Sequence, residues 1–348
     1  MIIDNFNITK EGMPFIVAEI GHNHQGNLQM CKDMFRVAKM CGANAVKLQK
    51  RDNKTLFTKA YYNKPYDNPF SYAPNGNRTY GAHREALEFN FPQYVELKKY
   101  AHEIGITFFA TAFDIPSADF LKALDMPAYK IASALYTDIP LIQYVAKFDK
   151  PMIISIPITA KSKDIDRILE VVCKDVVLLH CVPSYPTKAL EINLVRMVTL
   201  KEWYPDLLIG ISDHYSGIQS AVKAHEWGAR VIEKHFTLDR AMKGTDQGFS
   251  LSPYGFAEMI SHIKESMLME EGVIDNEAIK KALIKMGKSI WPIRYIKKGD
   301  IITNEDVRPM TPAYEGLPPY EMENIIGKVA VCDCSTSEPL TWDKLNEN

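Results

Sequence analysis

Three lysines stand inside runs that are otherwise apolar and rich in β-formers: Lys47 in AVKLQ, Lys130 in AYKIA and Lys234 in RVIEKHF. A buried ammonium costs several kcal/mol unless an anion meets it. That anion is either an internal carboxylate, with Glu19, Glu233 and Asp114 as candidates, or a phosphate or carboxylate brought by a ligand. Ser133, Ser155 and Ser212 fall at the ends of neighbouring runs, and three lysines converging with them on one rim favour the ligand. His214 and His235 end two successive runs, 21 residues apart. Two neutral imidazoles facing one another suit a divalent metal, and with carboxylates and water completing the shell manganese or magnesium serves as well as zinc. Glu19 closes the first run, in reach of both groups.

GHNHQG follows that first run, and an HxH there is a ligand pair in amidohydrolase-type barrels, which makes a metal-dependent hydrolase the competing reading. Those barrels also place an acid at the end of the eighth strand, where this chain has KHF, and they leave the lysines without a role. His22 therefore reads as a loop-structural residue; His24 reads either that way or as a ligand contact.

The runs that carry these residues are FIVAEI, AVKLQ, TFFAT, AYKIA, MIIS, VVLLHC, LLIGIS and RVIEKHF. They lack polar alternation, as strands buried on both faces do. Between them apolar residues recur at three- and four-residue spacing, as at Met30, Met34, Val37 and Cys41, and Gly42 stands where a helix stops. Eight strands alternating with helices predict a (β/α)8 TIM barrel, in which polar residues at the strands' C-terminal ends share one face. No GxGxxG follows the first strand, which counts against a doubly wound open sheet. Two segments break the rhythm. Arg51 to Asn90 is too long for a plain connection, and loops of that length are functional or disordered. Past Gly287 the helical pattern gives way to turns, prolines and short strands with a thin core of Ile290, Ile293, Ile296, Ile301, Val307, Ile325, Ile326 and Leu340. The expected division is a barrel over 1–275, a linker over 276–288 and a small domain over 289–348.

In the 348 residues 41 basic and 43 acidic side chains leave a net charge of -2, with no block of like charge, so a nucleic-acid partner is not expected. No apolar run approaches the roughly 18 residues of a membrane span, and Asp4 and Lys10 interrupt the start where a signal peptide would be apolar, so a cytoplasmic protein with no membrane partner is expected. The six cysteines are scattered and read as reduced, mostly buried thiols.

Taken together, AEIGHNHQG, AVKLQ, ATAFD, YKIAS, LLHCVPSYPT, GISDHYSG, IEKHFTLDR and KGTDQGFSL resemble the sialic (nonulosonic) acid synthases nearly end to end. The tail, with IKKGDIIT, GLPP and IIGKVA, resembles their C-terminal antifreeze-protein-like (SAF, β-clip) domain. The resemblance implies condensation of phosphoenolpyruvate with an N-acylated hexosamine, giving a nine-carbon 2-keto-3-deoxy acid and phosphate by C–O cleavage. It implies Lys47, Thr111, Lys130, Ser133, Ser155 and Ser212 around phosphoenolpyruvate, and Gln49, Tyr185 and Asp246 around the sugar. By the same resemblance His214 and His235 hold Mn2+ or Mg2+, Glu19 is the general acid or base, and the small domain caps the partner's site in a domain-swapped homodimer. Four departures bear on the sugar: Thr311 stands where relatives using N-acetylmannosamine carry a lid arginine, Pro183 and Gln247 replace other polar residues, and Ile156-Pro157 replaces Thr-Gly. An unphosphorylated acceptor is favoured, with Arg84 and the tyrosines of the long insert shaping its pocket. A sugar-binding pseudoenzyme is the remaining alternative.

Overall fold

The computed structural model describes residues 1–346 apart from 75, 173–174 and 273–275. By contacts the chain divides into two compact units, Met1–Glu270 and Glu271–Asn348. The first opens with a two-stranded ribbon, β1 (Ile2–Ile3) and β2 (Phe6–Asn7). Eight parallel strands then close into a barrel in strict chain order: β3 (Phe15–Gly21), β4 (Ala45–Lys50), β5 (Thr107–Ala112), β6 (Tyr129–Ile131), β7 (Met152–Pro157), β8 (Val176–Cys181), β9 (Leu208–Asp213) and β10 (Val231–His235). The TIM-barrel expectation is borne out, each strand ending within two residues of its predicted position.

Side chains alternate across a strand with a period of two, so each barrel strand divides its residues between an inner and an outer core. The inner core is a plug of Phe15, Val17, Ala45, Phe109, Ala128, Ile153, Val177, Leu179 and Val231, backed by Ile3 and Ile8 from the ribbon. The outer core packs the opposite parity, Ile16, Val46, Phe108, Ile154, Leu178 and Ile232, against the helices. Two residues beyond the plug on the same parity come Glu19, Lys47, Thr111, Lys130, Ser155, Cys181 and Glu233. The apolar floor and the polar layer above it are thus successive inward positions of the same strands.

The first helix, Leu28–Met40, buries Cys31, Met34, Phe35 and Ala38, one position off the face that the spacing predicts; Met30, Val37 and Cys41 pack at its margin. The helix ahead of β9 starts at Val195, and Leu190 before it lies exposed in a 3-10 turn. The helix after β7 spans Ser162–Leu169, and Cys173 lies outside the described residues. Among the described cysteines, Cys31, Cys181 and Cys334 are buried, Cys41 is intermediate and Cys332 is exposed. The long insert is built rather than irregular. It holds three short helices, Asn53–Leu56, Lys59–Tyr62 and Tyr80–Glu85, each capped by a side chain, of Asp52, Thr58 and Thr79. Phe57, Tyr61, Tyr66, Tyr80 and His83 pack ring against ring between them.

In the second unit β11 (Ser289–Pro292) pairs antiparallel with β12 (Val307–Met310). Its core keeps Ile290, Ile296, Val307, Ile325 and Leu340 but not Ile293 or Ile301, which are exposed; Ile302, Leu317, Ala330, Cys334 and Leu345 take their place. Ile301 and Ile302 cannot both face inward in extended chain, and the neighbour won. No helix among the described residues is long and apolar enough to cross a membrane.

Candidate active site

The polar layer of the barrel is a closed charge network. Lys47 Nζ lies 2.6 Å from Glu19 Oε2 and 3.7 Å from Glu233 Oε1, and donates to Thr111 Oγ1 at 2.7 Å. Lys130 Nζ lies 3.4 Å from the same Glu233 oxygen, to which Ser212 donates at 3.0 Å. All six are buried. Burial outweighs Lys47 and pushes the Glu19 carboxyl up, with Glu233 adding to the rise. Burial works upward on Glu233 too, but Lys130 and then Lys47 overcome it and hold that carboxyl at about 2. Two acids in one layer are thus driven apart: burial pushes Glu19 toward its protonated form, and the two lysines hold Glu233 as an anion.

Glu233, expected as an internal counter-ion, is the anion that both lysines share, whereas Cys181, with the Ser133 and Ser212 side chains beside its thiol, is absent from the residues that motif reading selects. Parity places both. Glu233 shares the inward face with His235, and Cys181 follows Leu179 by two. Parity likewise removes Lys234 from the site. Its ammonium points outward, 2.5 Å from Asp213 Oδ2 and bonded to the Tyr215 carbonyl, so two lysines rather than three meet at the rim. Asp114 caps the helix Ile115–Ala123 and does not reach either of them. Ser155 Oγ is buried with no partner among the described residues, and Ser133 opens the turn after β6.

One layer higher, Gln49 Nε2 donates to Glu19 Oε1 at 2.6 Å. The His214 and His235 rings lie 5.4 Å apart between centroids, with Tyr185 over His214 at 4.1 Å and Phe249 beside His235 at 4.9 Å. His214 Nδ1 is bonded to the Val182 carbonyl at 2.9 Å, leaving Nε2 for other partners. His235 Nδ1 is buried without a hydrogen bond, 3.9 Å from Asp246 Oδ2. Burial drives both imidazoles toward neutrality, His214 to about 4. Two neutral imidazoles, one with an orphaned nitrogen beside a carboxylate, fit a divalent cation. Among the described residues no three His, Cys, Asp or Glu side chains cluster closely enough to hold an ion by themselves, so water or a substrate oxygen would have to complete the shell.

The other two histidines do not join them. His24 is buried, stacks on Phe89 at 4.3 Å and accepts from the Gly26 amide at 3.0 Å, so it holds the loop rather than a ligand. His22 sits between the guanidinium groups of Arg51 and Arg84, which repel a cation. The HxH basis of the hydrolase reading is therefore lost. Gln247 is also structural, bonded to Thr237 and to the Asn23 carbonyl.

Residues 34–274 match the NeuB family and residues 287–346 match the SAF domain. The chain belongs to the NeuB family. It is 34% identical over 323 residues to the N-acetylneuraminate-9-phosphate synthase of Homo sapiens, covering 90% of this chain and 88% of that protein. It is 33% identical over 342 residues to the N,N'-diacetyllegionaminic acid synthase of Legionella pneumophila (95% and 94%), and 32% identical over 351 residues to a pseudaminic acid synthase of Campylobacter jejuni (98% and 98%). Among solved structures, the N-acetylneuraminic acid (sialic acid) synthetase of Leptospira borgpetersenii in complex with citrate superposes with a TM-score of 0.68 at 29% identity, over 81% of this NeuB-family chain and 94% of that one. Spore coat polysaccharide biosynthesis protein spsE of Bacillus subtilis gives 0.66 at 26% identity, over 100% and 99%.

Proposed function

We propose that this chain is a nonulosonic acid synthase that joins phosphoenolpyruvate to an N-acylated hexosamine and releases inorganic phosphate. The reading is supported above all by the two-storey site, with a Glu19–Lys47–Lys130–Glu233 network beneath the His214–His235 pair. Phosphoenolpyruvate carries two anionic groups, and Lys47 and Lys130 are the cations that can exchange their internal carboxylates for them. Thr111, Ser133, Ser155 and Ser212 supply hydroxyl donors in the same layer, and the unpartnered Ser155 Oγ is one open to an incoming oxygen.

Gln49, Tyr185 and Asp246 orient the acceptor one storey up, its carbonyl carbon facing the enol carbon of phosphoenolpyruvate. A Mn2+ or Mg2+ ion held by His214 and His235, with Asp246 beside them, supplies Lewis acidity toward the acceptor's carbonyl oxygen when bound. Carbon–carbon bond formation leaves positive character at the carbon bearing phosphate, and water adds there. Glu19 gives a proton to the acceptor's carbonyl oxygen as the carbon–carbon bond forms and takes one back at Oε2 from this water. The resulting tetrahedral centre then expels phosphate by C–O cleavage, leaving the 2-keto group. Glu233, held ionised, balances the two lysines throughout.

The same reading has a homodimer in which residues 289–348 of one protomer cap the other's site. The exposed Ile279, Leu283 and Met286 of the helix Glu277–Met286 support it as a surface in need of a cover. The deciding experiment measures phosphate release from phosphoenolpyruvate with Mn2+ across N-acetylmannosamine, its 6-phosphate and diacetamido-trideoxyhexoses, with mass spectrometry of the product. Sugar-dependent release with a gain of three carbons is expected. Failure of phosphoenolpyruvate to bind at all would overturn the reading.

A further inference from the structure

The relatives leave one property of the acceptor open, since one of their names carries a phosphate on the product and the others do not. The loop after β3 bears on it. Gly21 lies against the catalytic layer: a side chain built there would sit 3.3 Å from Glu19 Oε1, 3.4 Å from Gln49 Nε2 and 3.6 Å from Asp246 Oδ2. The next residue, His22, is flanked by two guanidiniums, Arg51 Nη1 at 3.1 Å from its Nε2 and Arg84 Nη1 at 3.3 Å from its Nδ1. A neutral imidazole has one acceptor nitrogen and one N–H, and a protonated one has no acceptor at all. Two guanidinium donors therefore cannot both be satisfied by His22, and in one of these contacts N–H faces N–H.

Glu88 and Glu19 lie near enough to act on Arg51, but each is paired elsewhere. Among the described residues neither arginine is in an ion pair, because the nearby Glu88 is held by Lys50 at 2.6 Å and Glu19 by Lys47. Arg51 is buried, stacked over Phe113 at 3.6 Å, and burial together with Arg84 holds its guanidinium down at about 10. Two like charges brought together without a counter-ion are destabilising, and a planar pair of guanidiniums matches a phosphate's oxygens. Arg51 Nη2 donates to Gln49 Oε1 at 2.6 Å, and Gln49 in turn bonds Glu19. The arginine pair thus lies one amide beyond the acid.

We infer that Arg51, His22 and Arg84 form a subsite for a phosphomonoester on the acceptor, at the end away from its carbonyl. The inference rests on the synthase reading for its acceptor, and it reverses the expectation of an unphosphorylated sugar. Bound there, the phosphate accepts from both guanidiniums and from whichever His22 nitrogen bears the proton, removing the donor–donor conflict.

Calorimetric titration of the full-length protein with N-acetylmannosamine and with its 6-phosphate tests this. The phosphorylated sugar is expected to bind at least about tenfold more tightly. That preference should fall to near unity in Arg84→Gln and survive in part in Arg84→Lys, since Arg84 is half-buried in the insert and its replacement leaves the barrel intact. Equal affinities in the unaltered protein, no binding of either sugar, or a preference unchanged in Arg84→Gln would overturn the subsite. Phosphate release from phosphoenolpyruvate, followed in parallel, reports separately on the synthase reading: turnover with an unphosphorylated sugar and no preference for the phosphate would sink the subsite alone.

Discussion

Glu19 and Glu233 differ by which ammonium each can call on, and that difference is what mutation should expose. Glu19→Gln keeps size and hydrogen bonding but cannot take a proton, so kcat is expected to fall by roughly 10²–10⁴ while phosphoenolpyruvate affinity, followed by calorimetry, stays close to that of the unaltered protein. Lys130 and Lys234 make a second contrast. Lys234→Met leaves Asp213 without its ammonium, which costs about 3–5 kcal/mol in denaturant unfolding, whereas Lys130→Met costs less because Glu233 keeps Lys47 at 3.7 Å. Only Lys130→Met should also lose phosphoenolpyruvate, because Lys234 faces outward; loss of binding in Lys234→Met would contradict the inward parity of the site. At this scale the sequence revealed residue types better than directions. Lys47, Lys130, His214 and His235 were legible as polar residues at strand ends, and Glu233 as a counter-ion for the lysines, whereas Cys181 and the outward turn of Lys234 were not, since reading a strand for its end residues ignores which of two successive side chains points in.

Elements were legible wherever their own periodicity defined them. VVLLHC is a strand over the very residues expected, while AYKIA shortens to Tyr129–Ile131 because its flanking alanines carry no preference strong enough to fix an edge. The insert was not legible, since its three helices are four to six residues long, too short for a hydrophobic period, and they stand on caps and ring packing. It is fastened to the barrel at Gly26, which has φ +72 and whose missing Cβ would collide with the Ala86 carbonyl. Gly26→Ala should therefore push the insert off the GHNHQG loop. The expected result is a rise in acceptor KM of about tenfold or more with phosphoenolpyruvate affinity unchanged, measured by initial rates at saturating phosphoenolpyruvate.

For the molecule as a whole, the barrel and the change of texture near Gly287 could be read from the chain, because both are long-range repetitions of pattern; the content of the small core could not, since a short extended segment offers two neighbouring isoleucines and only packing chooses between them. The folded state also carries a pH signature. Burial holds His24 at about 3, far below an unfolded imidazole at about 6.5. A depressed folded value means the neutral form is the folded one, so stability is full above pH 6.5 and declines as pH falls toward 3. By pH 5 His24 alone accounts for about 2 kcal/mol, and His24→Gln should lose correspondingly less between pH 7.5 and pH 5 in urea unfolding. The plug beneath the charged layer has a further consequence. Phe15, Phe109 and Leu179 close the barrel from below, so on the proposed assignment the two storeys of the site fill from the bottom up. On the proposed assignment an acceptor seated among Gln49, Tyr185 and Asp246 bars the way to Lys130, and the enzyme keeps time by stacking: the donor must descend first, and the spent phosphate cannot climb out until the nine-carbon product has cleared the shaft.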